Sequence, residues 1–276
     1  MTIVSLRLSI LEEDVLHFLG YPEGRRPSGR LAPLLDEVLL AARSLAEGRG
    51  AFRELPVSAA AGLGLETERA DALVVGLVTA GGGIERRVTQ LLAEGDATRA
   101  LLLDAAGSAA AEEAARRLGA LAVEGGAAGA AALGAAAVET GAVGAGALGS
   151  AGGPCRISPG YGRWPLSAQE ALFALLPHEE LGITLGSSMM MIPRKSVSFA
   201  LWIGLQGAPR SGLSACDCFA GPADGADGAD RADHTDLAGC TGCTGCSLPT
   251  CRYRRGAAAP PQPSPSSSPP SRMADR

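Results

Sequence analysis

A mixed helix-and-strand chain is predicted by three observations: apolar residues at helical spacing in four stretches, an apolar β-branched and aromatic run near residue 200, and Gly or Pro at most boundaries. Taken in order, Leu8, Leu11, Val15, Leu16 and Leu19 mark a first helix over 8–20, with Gly20 as its stop. Residues 31–47 repeat the pattern as a second amphipathic helix. The apolar run 72–78 is too short for periodicity to separate a buried helix from a strand, and Gly81, Gly82 and Gly83 then turn the chain. Residues 84–94 are helical again and end at Gly95. Residues 100–103 fit either a strand or the first turn of a long helix through Leu118. Residues 167–176 carry a helical period opened by Ser167 and Glu170 at capping-box spacing, and 196–203 reads as a strand.

Composition narrows the function classes. The hydrophobic share of 46% is raised by alanine while aromatics make up 4%, so much of the apolarity is read as weak core material. A net charge of −5 gives no broad attraction to nucleic acid or anionic membrane, which leaves small molecules and proteins as expected partners. The weakly apolar stretch 120–153 contains Glu124 and Glu139 and makes a poor bilayer span. The opening residues reach Glu12, Glu13 and Asp14 without a basic-then-apolar signal segment, so a cytoplasmic protein is expected. Its seven cysteines are then thiols or metal ligands rather than structural disulfides.

Low-complexity segments divide the chain. Residues 119–153 are an Ala/Gly-rich insertion, expected to be flexible; its GxGxxG match at 144–149 lacks the strand before and the amphipathic helix after that dinucleotide binding requires. Residues 208–239 form an acidic linker with an Ala-Asp-Gly repeat, and 256–276 a Pro/Ser-rich tail expected to be disordered. Neither a GxxxxGK[ST] phosphate loop nor a GxSxG elbow occurs.

Two constellations carry chemistry. Residues 156–166 combine Arg156, Ser158, Pro159, Gly160, Tyr161 and Trp164 in one short run. A guanidinium suits a carboxylate, a Ser-Pro-Gly turn presents backbone groups at short range, and the two aromatic faces could stack on a heterocycle; a plain proline-rich connection is the other reading. Further on, Cys240, Cys243, Cys246 and Cys251 give CxxCxxCxxxxC, spacing that lets four thiolates hold zinc or an iron–sulfur cluster, with Cys216 and Cys218 as upstream alternatives. Free thiols on a mobile tail are the competing reading.

The RxxxGY pattern of Arg156, Gly160 and Tyr161 resembles the S-adenosylmethionine-binding signature of the activation domain of cobalamin-dependent methionine synthase. The continuation WPLSAQEALFALL and GITLGSSMMMIPRKSVSF, with earlier blocks at 12–21, 78–88 and 99–118, is similar to free-standing activation-domain-like proteins. This resemblance implies an α+β fold, helices around a curved antiparallel sheet with a ligand cleft, with a core formed by 1–118 and 154–207. It favours a helix over 100–118. It implies S-adenosylmethionine binding in which Arg156 takes the carboxylate, Glu112 the cationic end, and the backbone of Ser158, Pro159, Gly160 and Tyr161 the remainder. Glu113 is adjacent, and either glutamate could instead sit on an exposed face paired with Arg116 or Arg117.

The partners implied are cobalamin-dependent methionine synthase or another corrinoid protein, and an electron donor protein, with cobalamin carried by the partner chain. None of His17, His178 and His234 stands in the family's DxHxxG corrinoid context, and 276 residues do not accommodate the homocysteine and folate barrels, so a complete synthase is not expected. Relatives keep a CxxCxxxxC ending that matches Cys243, Cys246 and Cys251, within a Cys-rich segment at 240–255. They commonly carry Thr-Glu-Ser where this chain has Gly186, Ser187 and Ser188. The three methionines that follow read either as an adaptable wall of the cleft or as a core strand and turn. Lys195, the single lysine, reads as a compositional accident.

Overall fold

The apolar run that periodicity left ambiguous is a strand, β3 (Ala72–Thr79), near the middle of the sheet. The computed structural model describes residues 3–22, 24–66, 70–133, 155–161 and 164–203. Within them β1 (Ile3–Leu6), β2 (Gly48–Leu55), β3, β7 (Ser196–Ile203) and β4 (Cys155–Ile157) form a sheet in the order β1-β2-β3-β7-β4 with every pairing antiparallel. A hairpin of β5 (Thr184–Leu185) and β6 (Met191–Ile192) lies apart. The helices are α1 (Glu12–Phe18), α2 (Leu31–Leu45), α3 (Gly83–Ala93), α4 (Ala97–Leu133) and α5 (Gln169–Leu175). The architecture is therefore a mixture of helices and antiparallel sheet, as the α+β expectation has it.

Both faces of the sheet are covered, which explains why β3 and β7 show near-continuous apolar sequence. Val74, Val78, Phe199 and Leu201 pack under α4 with Ala114, Ala115, Leu118 and Leu121. The alternate residues Leu73, Val75, Leu77, Ala200 and Trp202 face a second core built from Trp164, Leu172, Phe173 and Ile183. Helices α1, α2 and α3 pack against α4, so α4 runs between a helical layer and the sheet. That position accounts for its alanines: Ala106, Ala110, Ala114 and Ala115 are fully buried, because a helix enclosed on two sides needs small side chains to let its neighbours approach. Among the described residues, the α4 alanines read as weak core material are core.

The structure moves several boundaries. The first helix begins at Glu12 rather than Leu8, because residues before it are held extended: the Ser9 N–H donates to Glu113, and Arg43 donates twice to the Ile10 carbonyl at 2.9 and 3.2 Å. Helix α4 does not stop at Leu118 but continues to Leu133, and Ala120, Leu121 and Ala122 are buried, so the Ala/Gly-rich segment starts as helix. Ser167 and Glu170 form no capping box. Pro165 leads instead into a 3-10 turn (Leu166–Ala168), and α5 starts after Ala168 with no side-chain cap. Strands β1 and β2 have no counterpart in the sequence reading. β2 opens Gly-Arg-Gly, and a Cβ at Gly50 would stand 2.9 Å from Leu118, so its glycine reflects close packing under α4.

No helix among the described residues is long and apolar enough to cross a membrane.

Candidate functional site

Strand register decides where Arg156 points. Arg156 lies opposite Leu201 on β7, and cross-strand partners share a face, so its side chain is directed toward α4 beside Phe199 and Leu201. There it meets Glu112: Nη2 of Arg156 donates to Oε1 of Glu112, with the two side chains only 9% and 10% exposed. The guanidinium carbon also lies 5.9 Å from the centre of the Phe199 ring. That ring is laid across β3 at Gly76, where an added Cβ would come within 2.4 Å of it. A residue without a side chain on β3 thus positions the ring that flanks Arg156.

The adjacent glutamates have different partners. Glu113 holds Arg116 at 3.0 Å and Arg117 at 2.6 Å, and Arg117 also donates to Ser9 at 2.9 Å. Both carboxylates are buried, at 8% and 5% exposure, so neither sits on the exposed helix face that i, i+4 pairing alone would suggest. Arg116 also reaches across to Asp14, a buried residue in the first turn of α1, at 3.1 Å. Asp14, Glu112, Glu113, Arg116, Arg117 and Arg156 therefore form a largely buried charge cluster between α1, α4 and β4. Burial pushes the Glu112 carboxyl above its ordinary range; Arg156, and more weakly Arg116, pull it down, while Asp14 adds to the rise.

The turn after β4 is organised from within. The Tyr161 N–H donates to the Ser158 carbonyl at 3.2 Å, the Gly160 N–H to the Trp164 carbonyl at 2.8 Å, and the Trp164 N–H to the Tyr161 carbonyl at 3.1 Å. Gly160 has φ +91°, which requires glycine there. Pro159 is buried, Ser158 and Tyr161 are half-buried, and Gly160 is exposed. Trp164 is not available for stacking on a ligand: it is 2% exposed and its indole N–H donates to the Leu63 carbonyl at 2.7 Å. Tyr161 packs against the same core.

The segment 184–198, part of the resemblance, divides into two parts. Gly186, Ser187 and Ser188 make the turn of the β5–β6 hairpin, closed by Gly186 N–H to Met190 C=O at 2.9 Å. Met189 has a left-handed backbone at φ 63°, Met190 is 52% exposed at the turn, and Met191 packs on the core, so Met191 fits the strand-and-turn reading. Lys195 is more than an accident of composition. Its Nζ meets Asp104 at 2.9 Å and Ser108 at 3.0 Å, while its N–H donates to Glu85 and its carbonyl accepts from Ala80, each at 2.8 Å.

Sequence reasoning did not find Asp14. Its signal was an acidic residue among Glu12 and Glu13, which looked like an ordinary helix N-terminus. Cys240, Cys243, Cys246 and Cys251 lie outside the described residues, as do Cys216, Cys218 and His234. Among the described residues no group of His, Cys, Asp and Glu could hold a metal ion. His178 instead bonds the Ile183 carbonyl at 3.1 Å, and its ring lies 5.0 Å from that of Phe173.

No protein-family description and no curated protein sequence matches the chain. Among solved structures it is similar to the MetH reactivation domain bound to AdoHcy, with a TM-score of 0.51 and 16% identity over 75% of this chain and 80% of that one. The fold is shared. At this identity the likeness concerns the arrangement of helices and antiparallel sheet, and binding has to be argued from the residues themselves.

Proposed function

We propose that the chain binds S-adenosylmethionine at Arg156 and Glu112 and serves as a reactivation module for a corrinoid protein. The observation that carries this reading is the meeting of Arg156 with Glu112, one group for a carboxylate and one for an ammonium, in a fold shared with a domain that binds AdoHcy. An α-amino acid group presents both charges on neighbouring atoms, so a cation and an anion side by side are chemically matched to it. The turn 158–161 follows Arg156 directly and would border the rest of the ligand, through carbonyl groups and the Ser158 hydroxyl more than through the Gly160 and Tyr161 N–H groups, which the turn itself uses.

The reaction proposed is reductive methylation of cob(II)alamin carried by a partner chain, either cobalamin-dependent methionine synthase or another corrinoid methyltransferase. Cobalamin supplies a nucleophilic metal once an electron donor protein has reduced it. For this chain the task is positional: to hold the sulfonium so that its methyl group faces the partner while the thioether departs. No general base is needed, because no proton moves at the transferred carbon.

Cys240, Cys243, Cys246 and Cys251 are proposed as a zinc or iron–sulfur site, a reading that rests on their spacing alone. Iron, zinc and sulfide analysis of anaerobically purified protein decides it, and an absence of all three removes the site. A second reading, a module that keeps the fold without the methyl-transfer role, is favoured by the β5–β6 turn, where Gly186, Ser187 and Ser188 bring no carboxylate.

Calorimetry with S-adenosylmethionine tests the main proposal. Binding by the wild type that Arg156→Ala weakens at least about 100-fold, in line with the roughly 2–5 kcal/mol lost when one partner of a buried charge pair is truncated, supports it. An absence of binding by the folded wild type would sink it.

A further inference from the structure

We infer that the Glu112–Arg156 pair is an internal counter-ligand, so that binding at this site is a charge exchange selecting molecules with both ends of an α-amino acid group. The inference rests on the S-adenosylmethionine-binding reading above and specifies what that site recognises. Its basis is direct contact: the two groups proposed for the ligand's opposite charges hold one another, in a setting where both side chains are about nine-tenths buried.

The setting makes a half-exchange costly. A ligand bringing only a carboxylate would draw Arg156 away and leave Glu112 in the core beside Asp14, with Arg116 as its remaining cationic neighbour among the described residues. Arg116 is already shared between Asp14 and Glu113, so it is a poor replacement for Arg156. A ligand bringing only an amine would leave Arg156 against the Phe199 ring without its carboxylate. Breaking a buried pair by engaging one member leaves the other as an uncompensated charge, which is the large penalty in such sites. A zwitterion avoids both penalties, because one ion pair inside the protein is replaced by two between protein and ligand and the net charge of the site is unchanged. Discrimination here comes from refusing the wrong ligand as much as from holding the right one.

Titration calorimetry on the full chain tests this with four probes: S-adenosylhomocysteine, the same thioether without its carboxylate, the same thioether without its amine, and 5′-deoxy-5′-methylthioadenosine. S-adenosylhomocysteine should bind, and each one-charge thioether should bind at least about 100-fold more weakly. The methylthio nucleoside, which disturbs neither charge, should bind better than either one-charge thioether even though it is smaller. In the double variant Glu112→Gln with Arg156→Met, which removes both charges of the pair, the preference for the zwitterion over the methylthio nucleoside should disappear.

If the one-charge thioethers bind within a few-fold of S-adenosylhomocysteine, the exchange is wrong while the binding reading survives. If none of the four probes binds the wild type, both fall together. The analogue series needs no variant, so a double variant that fails to fold would not rescue the inference from an unfavourable series.

Discussion

Helix α4 is gripped twice by cations from the strands, and the two grips differ in what stands behind them. At Asp104 the partner is Lys195, next to β7, and the acid is 40% exposed, with Ser108 and Arg194 as further neighbours. Two turns further along, Glu112 meets Arg156 from β4 with neither side chain more than 10% exposed. The chemistry is alike, one carboxylate and one cation, but water can compensate a loss at Asp104 and has little access at Glu112. The first contact is suited to clipping the start of β7 to the helix. The second is poised, because each partner is buried and a change to one removes the other's nearest opposite charge.

The two sites should differ most when Arg156 is removed. Arg156→Ala leaves Glu112 buried without its chief counter-ion and should cost about 3–5 kcal/mol, measured by urea unfolding. Adding Glu112→Gln to that variant should recover a large part of the loss, and a double variant no more stable than Arg156→Ala would show the buried charge is not the cause. Lys195→Met should cost less, about 2 kcal/mol, since Asp104 keeps water and Arg194 at 3.8 Å. Equal losses at the two sites would end the distinction drawn from exposure.

The pH dependence sharpens the same point. Because Glu112 is raised in the folded chain from an ordinary value of 4.5, it keeps, between 4.5 and its folded-state value, a proton that the unfolded chain has released. Stability from this group is therefore fully present below 4.5 and declines as pH rises toward the folded-state value. Wild type minus Glu112→Gln, followed by unfolding at a series of pH values, should fall with rising pH across that window; a flat difference would show that burial does not dominate. The smallest effect belongs to an exposed pair, Arg26 with Glu12: Arg26 is 65% exposed, and Arg26→Ala should melt with the wild type.

How much of this was legible depends on the range of the signal. β7 could be read because Ser-Val-Ser-Phe-Ala-Leu-Trp-Ile is apolar and strand-forming over its whole length. β3 was ambiguous for a physical reason: both its faces are covered, so it lacks the alternation that marks a half-buried strand. β1, four residues long, and β2, opening with glycine and arginine, carried no comparable pattern. Arg156 stood out through its turn and its resemblance, but Asp14 was hidden among three consecutive acids. Trp164 shows the converse, a residue whose flat face suggested a ligand and whose place is the core.

Residues and their near neighbours were enough for the helical periods, the β7 strand, the Gly160 turn, and the presence of an arginine and two glutamates suited to a zwitterion. Which glutamate meets Arg156 was settled only by tertiary structure. The rotation of α4 against the sheet, and the register that sets Arg156 opposite Leu201, bring together residues 44 positions apart; one residue's turn of that helix is about 100°, enough to send Glu113 away toward α1 while Glu112 faces the strand.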